Sequence, residues 1–230
     1  MHVTTCSCRL LNHQCVSSTE KRVWYSCGSM ALKRVLQQIV DYPPILDVVR
    51  RVIEANFRGE KKVIKSELLG REGQILDLPC GTGIFSPLFP DATYTGVDLG
   101  EHYVQRARKQ FPQKKFLVGD ALHLKFPDKS FDSVLTIGFL HHLDPPEVLK
   151  SLTEIQRVLK PGGIFLLIED CPTRSRWNVL GRFLQNMDAG GRIRPMEYYE
   201  KLLREKFTLQ KSYHLRAGLW DYGVFVGRGR

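Results

Sequence analysis

The 230-residue sequence contains no apolar run approaching the roughly 18 residues that a membrane-spanning helix needs, so a soluble chain is expected. It also lacks a C-x-x-C pair. Four of its six cysteines (Cys6, Cys8, Cys15 and Cys27) fall in the first 29 residues, while Cys80 and Cys171 stand alone. With only His2 and His13 near the first group, the spacing matches no recurrent zinc pattern and no disulfide framework. No metal is therefore expected, and a reducing cytosol is the expected compartment. No charged n-region followed by an apolar h-region opens the chain, which argues against a secretory signal. Scarce acids leave an organelle transit peptide open, although Arg9 and Arg22 are the only arginines before residue 30. No block of five like charges occurs, so a nucleic-acid-binding tail is not indicated, and no internal repeat is present.

What is present begins with charge. The formal net charge is +10, and the stretch from Cys171 to the end carries twelve Lys and Arg against five Asp and Glu. Such a balance admits nucleic acid, anionic lipid or an acidic small molecule as partners, and is equally accounted for by a solvated basic surface. Hydrophobic residues make up 43% of the chain, enough to bury a sizeable core.

Residues 1–29 have no clear periodicity and read as a poorly ordered extension, with Met30 opening the functional chain. From Ala31 a helical period begins, with Leu32, Val35, Leu36 and Ile39 recurring at three and four residues. Asp41-Tyr42-Pro43-Pro44 breaks it. Further helices are predicted over residues 45–57 and then up to Leu69, ending at Gly70. Strands are predicted at 74–78, 94–98, 115–119, 131–137 and 164–168, with helices at 101–110 and 146–159 between them. Lys160-Pro161-Gly162-Gly163 reads as a turn launching the fifth strand. Strands separated by helices imply parallel pairing with right-handed crossovers, hence a doubly wound α/β sheet. Helices at 175–187 and 195–206 then precede two β-rich runs, 207–215 and 220–227, that read as a closing antiparallel pair.

The central chemical signal is Ile75-Leu76-Asp77-Leu78-Pro79-Cys80-Gly81-Thr82-Gly83, a buried strand running into a glycine-bearing loop and then an expected helix. That places the loop at the carboxyl edge of the sheet, where ligands bind. Gly81 and Gly83 allow close backbone approach. Asp98 ends the second strand, suited to ribose hydroxyls, and Asp120 follows the third, suited to an exocyclic amine. Each alone is equally an ordinary strand-end carboxylate. With Asp77, which ends the first strand and supplies a fixed negative charge, the three together describe an adenosine cradle with room for a cationic group. A nucleotide-dependent oxidoreductase would want a third glycine or alanine where Ser86 stands and would leave Asp120 without a role.

On these motifs, residues 75–169 resemble the class I S-adenosylmethionine-dependent methyltransferases. The likeness continues in Gly96-Val97-Asp98, Gly119-Asp120-Ala121, the run from Phe126 to Asp132, His141-His142-Leu143 and Leu159-Lys160-Pro161-Gly162-Gly163. The resemblance implies a seven-stranded Rossmann-like sheet in the order 3-2-1-4-5-7-6 with its last strand antiparallel, preceded by N-terminal helices. Residues 30–230 would form the domain, with 30–70 as the leading helices and 171–206 as a partial lid. It implies S-adenosyl-L-methionine as cofactor and S-adenosyl-L-homocysteine as product. Asp77 and Gly81 would lie near the methionine part, Asp98 on the ribose and Asp120 on the adenine, with further contacts from Pro79, Cys80, Thr82, Gly83, Leu99, Ala121 and Ile137. Pro79 departs from the glycine frequent at that place, and its missing N–H removes one backbone contact.

The strand order implied by the family leaves the ends of strands four and five for the acceptor. His141, His142 and Glu169 are the catalytic candidates there, with His141 as base or orienting group and Glu169 holding it. Packing or capping of one histidine and solvation of the other accounts for the pair equally well. Asp144-Pro145-Pro146 resembles the box of base-methylating enzymes, but Glu147 replaces the needed aromatic, so Asp144 reads as a helix N-cap. Aromatics and arginines over 171–206 suit an acidic or amphiphilic small molecule and equally suit ordinary packing. RNA methylation and a non-catalytic cofactor-binding module remain the alternatives.

Overall fold

Amphipathic helices alternate with short buried strands through the described residues, which in this computed structural model are Val48 and residues 50–70, 72–187 and 192–230. The extension at 1–29, the start at Met30 and the helix expected from Ala31 lie outside them. Strands β1 (Ile75–Asp77), β2 (Tyr94–Asp98), β3 (Lys115–Val118), β4 (Phe131–Ile137), β5 (Leu159–Asp170), β6 (Thr208–Ala217) and β7 (Trp220–Arg228) form one sheet. Its order is 3-2-1-4-5-7-6, as expected. Strands β1 to β5 pair in parallel, and β7 runs antiparallel between β5 and β6.

Helices α1 (Arg58–Leu68), α2 (Glu101–Gln110), α3 (Pro145–Val158), α4 (Val179–Met187) and α5 (Met196–Lys206) complete the fold. Because successive strand residues face opposite sides, each central strand feeds two cores. On one side Val63, Ile64 and Leu68 of α1 and Val104 and Ala107 of α2 pack with Leu135, Ile137, Leu166 and Ile168. On the other, Val148, Leu152, Ile155 and Val158 of α3 and Tyr199 and Leu203 of α5 pack with Leu76, Val134, Phe165 and Leu167. Each of the fully buried aliphatic side chains contributes about 1.5–3 kcal/mol. Among the described residues no helix is long and apolar enough to cross a membrane.

Three elements differ from the sequence expectation. The helix expected after the glycine loop is absent: two 3-10 turns, Ser86–Leu88 and Asp91–Thr93, connect β1 to β2. Pro87 and Pro90 sit where an α-helix would need their N–H groups, and that accounts for the change. The turn expected at Lys160-Gly163 is absorbed into β5, because Gly162 N donates to Gly229 O at 3.0 Å and Gly229 N to Gly163 O at 2.9 Å. The helix expected through Phe57 breaks at Ala55, Asn56 and Phe57, whose φ values are 49°, 59° and 57°. Three successive non-glycine residues in the left-handed region are uncommon. Here they drop the Phe57 ring into the core, edge-on to Phe85 with centroids 5.5 Å apart.

Candidate active site

The loop after β1 is held from both flanks. Leu78 N donates to Leu135 O of β4 at 2.9 Å, and Cys80 N donates to Val97 O of β2 at 2.9 Å. Leu78–Pro79 is a cis peptide. The loop's two glycines serve different purposes. Gly81 has φ +51°, and a Cβ there would meet nothing within 4 Å, so it leaves space for a ligand. Gly83 has φ +75°, and a Cβ there would lie 2.7 Å from the Phe116 ring, so it is a packing position.

The three expected carboxylates differ in environment. Asp77 is buried and accepts the Tyr94 hydroxyl at 2.6 Å. Burial pushes its carboxyl up to about 7, with the Tyr94 hydrogen bond opposing and the Asp98 charge adding to the shift. Asp98 is buried and accepts Gly81 N at 2.9 Å on Oδ2 and Gly100 N at 2.8 Å on Oδ1. Burial raises its pKa, and the two N–H groups restrain the rise. Asp120 accepts Leu122 N at 2.8 Å and faces His123 Nδ1 at 3.1 Å, contacts that hold its carboxyl below the ordinary range.

A cavity of about 510 Å³ opens along the carboxyl ends of β1 to β4. This is within the roughly 300–1,000 Å³ typical of ligand pockets. Of the expected residues, Pro79, Cys80, Gly81, Thr82, Asp98, Leu99, Asp120, Ala121, Ile137 and His142 line it. Asp77, Gly83, His141 and Glu169 are not in the lining and support it from behind. The lining also includes Arg50, Phe57, Tyr103, Phe139 and Glu147, none of them anticipated. The sequence signal for Phe139 and Glu147 was their nearness to the fourth strand end; Arg50 and Phe57 reach the site from before β1, and no motif marks them. Arg50 Nε donates to Glu54 at 2.7 Å, so its charge is already paired. Against this one arginine the lining sets Asp98, Asp120 and Glu147. S-adenosylmethionine fits this donor set: the Gly81 gap gives room at the loop, each Asp98 oxygen keeps a second acceptor site, and the acidic excess suits a sulfonium.

The two histidines adopt opposite environments. His141 is buried, and its Nδ1 lies 2.6 Å from Glu169 Oε1. Burial works to raise the Glu169 carboxyl, yet the His141 contact and the N–H groups of Leu140 and Phe139 hold it below the ordinary carboxylate range. Glu169 Oε2 accepts Leu140 N at 2.7 Å and Phe139 N at 3.1 Å. An ionised Glu169 therefore fixes both the His141 ring and the backbone of the β4 exit. His141 Nε2 faces Asp170 Oδ2 at 3.6 Å, and burial pushes the Asp170 carboxyl up to about 7. His141, Glu169 and Asp170 bring ligand atoms within 4.8 Å of one another. The direct 2.6 Å contact leaves no space for an ion between the first two. The His142 ring lies 4.0 Å from that of His141 and on the cavity side.

Two arginines before α5 act on this same loop. Arg194 donates to Leu140 O at 3.0 Å and Leu143 O at 2.7 Å, and Arg192 pairs with Asp144 Oδ1 at 2.7 Å. Asp144 is the N-cap of α3, its N–H donating to Glu147 Oε2 at 2.8 Å. These arginines clamp the His141-His142 segment.

A family profile described as a methyltransferase domain matches residues 76–167. A demethylmenaquinone methyltransferase of Staphylococcus aureus is 36% identical over 184 residues, covering 74% of this chain and 75% of that protein. A fatty-acid O-methyltransferase of Mycolicibacterium smegmatis is 39% identical over 105 residues, covering 43% of this chain and 38% of its own length. A crystal structure of a Pyrococcus horikoshii protein superposes with a TM-score of 0.62 at 26% identity, covering 76% of this chain and 90% of that one. The chain spans 66% and 47% of the lengths of two further curated relatives.

Proposed function

The chain belongs to the class I S-adenosylmethionine-dependent methyltransferases, and from that footing we propose that its cavity binds S-adenosylmethionine and passes the methyl group to a small apolar or amphiphilic acid or phenol. The observation that carries the reading is one cavity in which Gly81, Asp98 and Asp120 face the same space as His142. Bound there, the cofactor supplies a methyl group on a positively charged sulfur, with the neutral thioether S-adenosylhomocysteine as leaving group. Asp98 accepts ribose hydroxyls while its bonds to Gly81 and Gly100 keep the loop in shape. Asp120, exposed enough to turn toward a purine, accepts an exocyclic amine. Phe139 and Leu143 give the acceptor an apolar wall.

His142 is the histidine that meets the acceptor and takes its proton on a ring nitrogen. His141 and Glu169 are positioning residues: their bond fixes the β4 exit from which His142 projects. Orientation of the acceptor along the methyl–sulfur axis supplies much of the rate. The names of the relatives, whose acceptors are a quinone precursor and a fatty acid, support an apolar or amphiphilic acceptor. The test is incubation of the full chain with methyl-labelled S-adenosylmethionine and, separately, a lipid extract, a polar extract and total RNA. Label in a lipid-extract product is expected. Label confined to RNA, or no transfer in any arm alongside measurable cofactor binding, would overturn the proposal.

A further inference from the structure

Helix α4 is built inside out. Its buried side carries Gly181 and Gln185, together with Asn178 immediately before its first residue, at spacings of three and four residues. Asn178 Nδ2 donates to Leu219 O at 2.7 Å, its Oδ1 accepts Gly181 N at 3.0 Å, and Gln185 Nε2 donates to Cys171 O at 2.9 Å. Gln185 Oε1 accepts both the N–H and the hydroxyl of Thr173, at 2.9 and 2.8 Å. Hydrogen bonds thus pin the polar side against the carboxyl end of β5 and the β6–β7 turn. Four large apolar side chains point away: Trp177 is 80% exposed, Val179 66%, Leu180 55% and Phe183 58%, while Leu184 is half-buried. Helices of globular domains place these faces the other way round.

The segment that carries this face has one sign of charge. Residues 171–187 contain Arg174, Arg176 and Arg182 and no acid. Arg176 lies over the Trp177 ring at 4.9 Å, and Arg182 donates to Ser175 O at 3.2 Å, tying the preceding loop to the helix. Leu219, bonded to Asn178, also donates its N–H to Ile53 O at 2.9 Å, which brings the exposed Val52 and Arg51 to the same edge.

We propose that α4, with the loop before it, docks this chain onto an anionic lipid bilayer surface: Trp177, Leu180 and Phe183 enter the acyl boundary while Arg174 and Arg176 meet the headgroups. Aliphatic and aromatic side chains flanked by arginine are the composition of helices that lie in a membrane interface. Trp177 and Phe183 could stack on nucleic-acid bases but the aliphatic Val179 and Leu180 beside them could not, so the face as a whole suits lipid better than RNA. The patch lies beside the carboxyl end of β5, on the sheet edge that also carries the cavity. The docking does not depend on the methyl-transfer reading, and its test uses no turnover.

The test is co-sedimentation of the full chain with vesicles of phosphatidylglycerol and phosphatidylcholine, beside vesicles of phosphatidylcholine alone. Binding to the mixed vesicles is expected, weakened by salt. The triple variant W177S/L180S/F183S should bind about tenfold more weakly or worse, since those side chains supply the inserted area. Because they are exposed, its melting temperature should match that of the wild type. R174Q/R176Q should also bind more weakly and lose most of the salt dependence. Brominated lipid should quench tryptophan emission in the wild type, and W177F should lose that quenching while keeping affinity. Wild-type protein that ignores anionic vesicles, or a triple variant that binds as well as wild type, would overturn the proposal. A wild-type dimer in lipid-free sedimentation velocity that the triple variant loses would overturn it too, by assigning the face to a second copy.

Discussion

Asp98 reaches back 17 residues along the chain to take the N–H of Gly81 at 2.9 Å, so the end of β2 fixes the loop that follows β1. The same carboxylate lines the cavity. Asp98→Ala should therefore weaken S-adenosylmethionine binding by about 1.5–3 kcal/mol, the range for hydrogen bonds to a charged group. Titration calorimetry measures this, and an affinity equal to wild type would remove Asp98 from the site. Asp98→Asn, which keeps one acceptor, should fall between the two.

The two loop glycines should fail in different ways. Gly81→Ala places a methyl in open space at φ +51°, so its cost in stability is limited to about 1–2 kcal/mol of backbone strain, while cofactor affinity drops. Gly83→Ala drives a methyl into Phe116, adding roughly 1–3 kcal/mol of overpacking to the same strain. Melting curves with and without cofactor separate these effects. Equal melting temperatures for the two variants would contradict the assignment.

His142→Ala should lower kcat by about 10²–10⁴-fold, the usual worth of a positioned base. Cofactor affinity should stay within a factor of about three, since the adenosine contacts lie elsewhere. His141→Ala should instead cost about 1.5–3 kcal/mol in stability, by removing the ring's hydrogen bond to the buried Glu169 carboxylate while its backbone N–H partners remain. His141→Asn should recover part of that stability. Should His142→Ala turn over normally, proximity alone carries the reaction.

The pH dependence of stability should carry the mark of Asp77. Its carboxyl is pushed up to about 7 by burial, against about 3.9 in an unfolded chain. Between those values the folded state binds more protons than the unfolded one, so stability contributed by this group falls as pH rises from about 4 to 7 and is flat above. Asp77→Asn keeps an acceptor for the Tyr94 hydroxyl and removes that loss. The variant should melt higher than wild type at pH 8 and gain less at pH 5. An equal shift at both values would place the Asp77 pKa in the ordinary range.

The pattern made β2, β4 and α2 legible to the residue, because short buried runs and a charged helix face leave little freedom in Tyr94–Asp98, Phe131–Ile137 and Glu101–Gln110. Strand ends and glycines placed most of the cavity wall as well. The loop-to-helix pattern was over-read after Gly83, where Pro87 and Pro90 outweigh it. Which histidine faces the cavity was not legible, since adjacent residues on a 3-10 turn diverge by an angle that sequence does not fix. Nor were Arg50, on the helical segment before β1, and Phe57, which reaches the site through a left-handed turn no motif announces. The inverted faces of α4 were hidden for a related reason: its period is helical whichever side faces in.

The β1–β2 connection without an α-helix has a bearing on competition among metabolites. Where a helix follows a glycine loop, its first N–H groups and positive dipole end attract a pyrophosphate. Here two 3-10 turns follow, and Arg50, already bonded to Glu54, is the single lysine or arginine in the described lining. A dinucleotide or nucleoside triphosphate would bring several negative charges up against Asp98, Asp120 and Glu147 with little to offset them. The charge of the described lining thus disfavours polyphosphates and favours an adenosine compound that carries a positive charge.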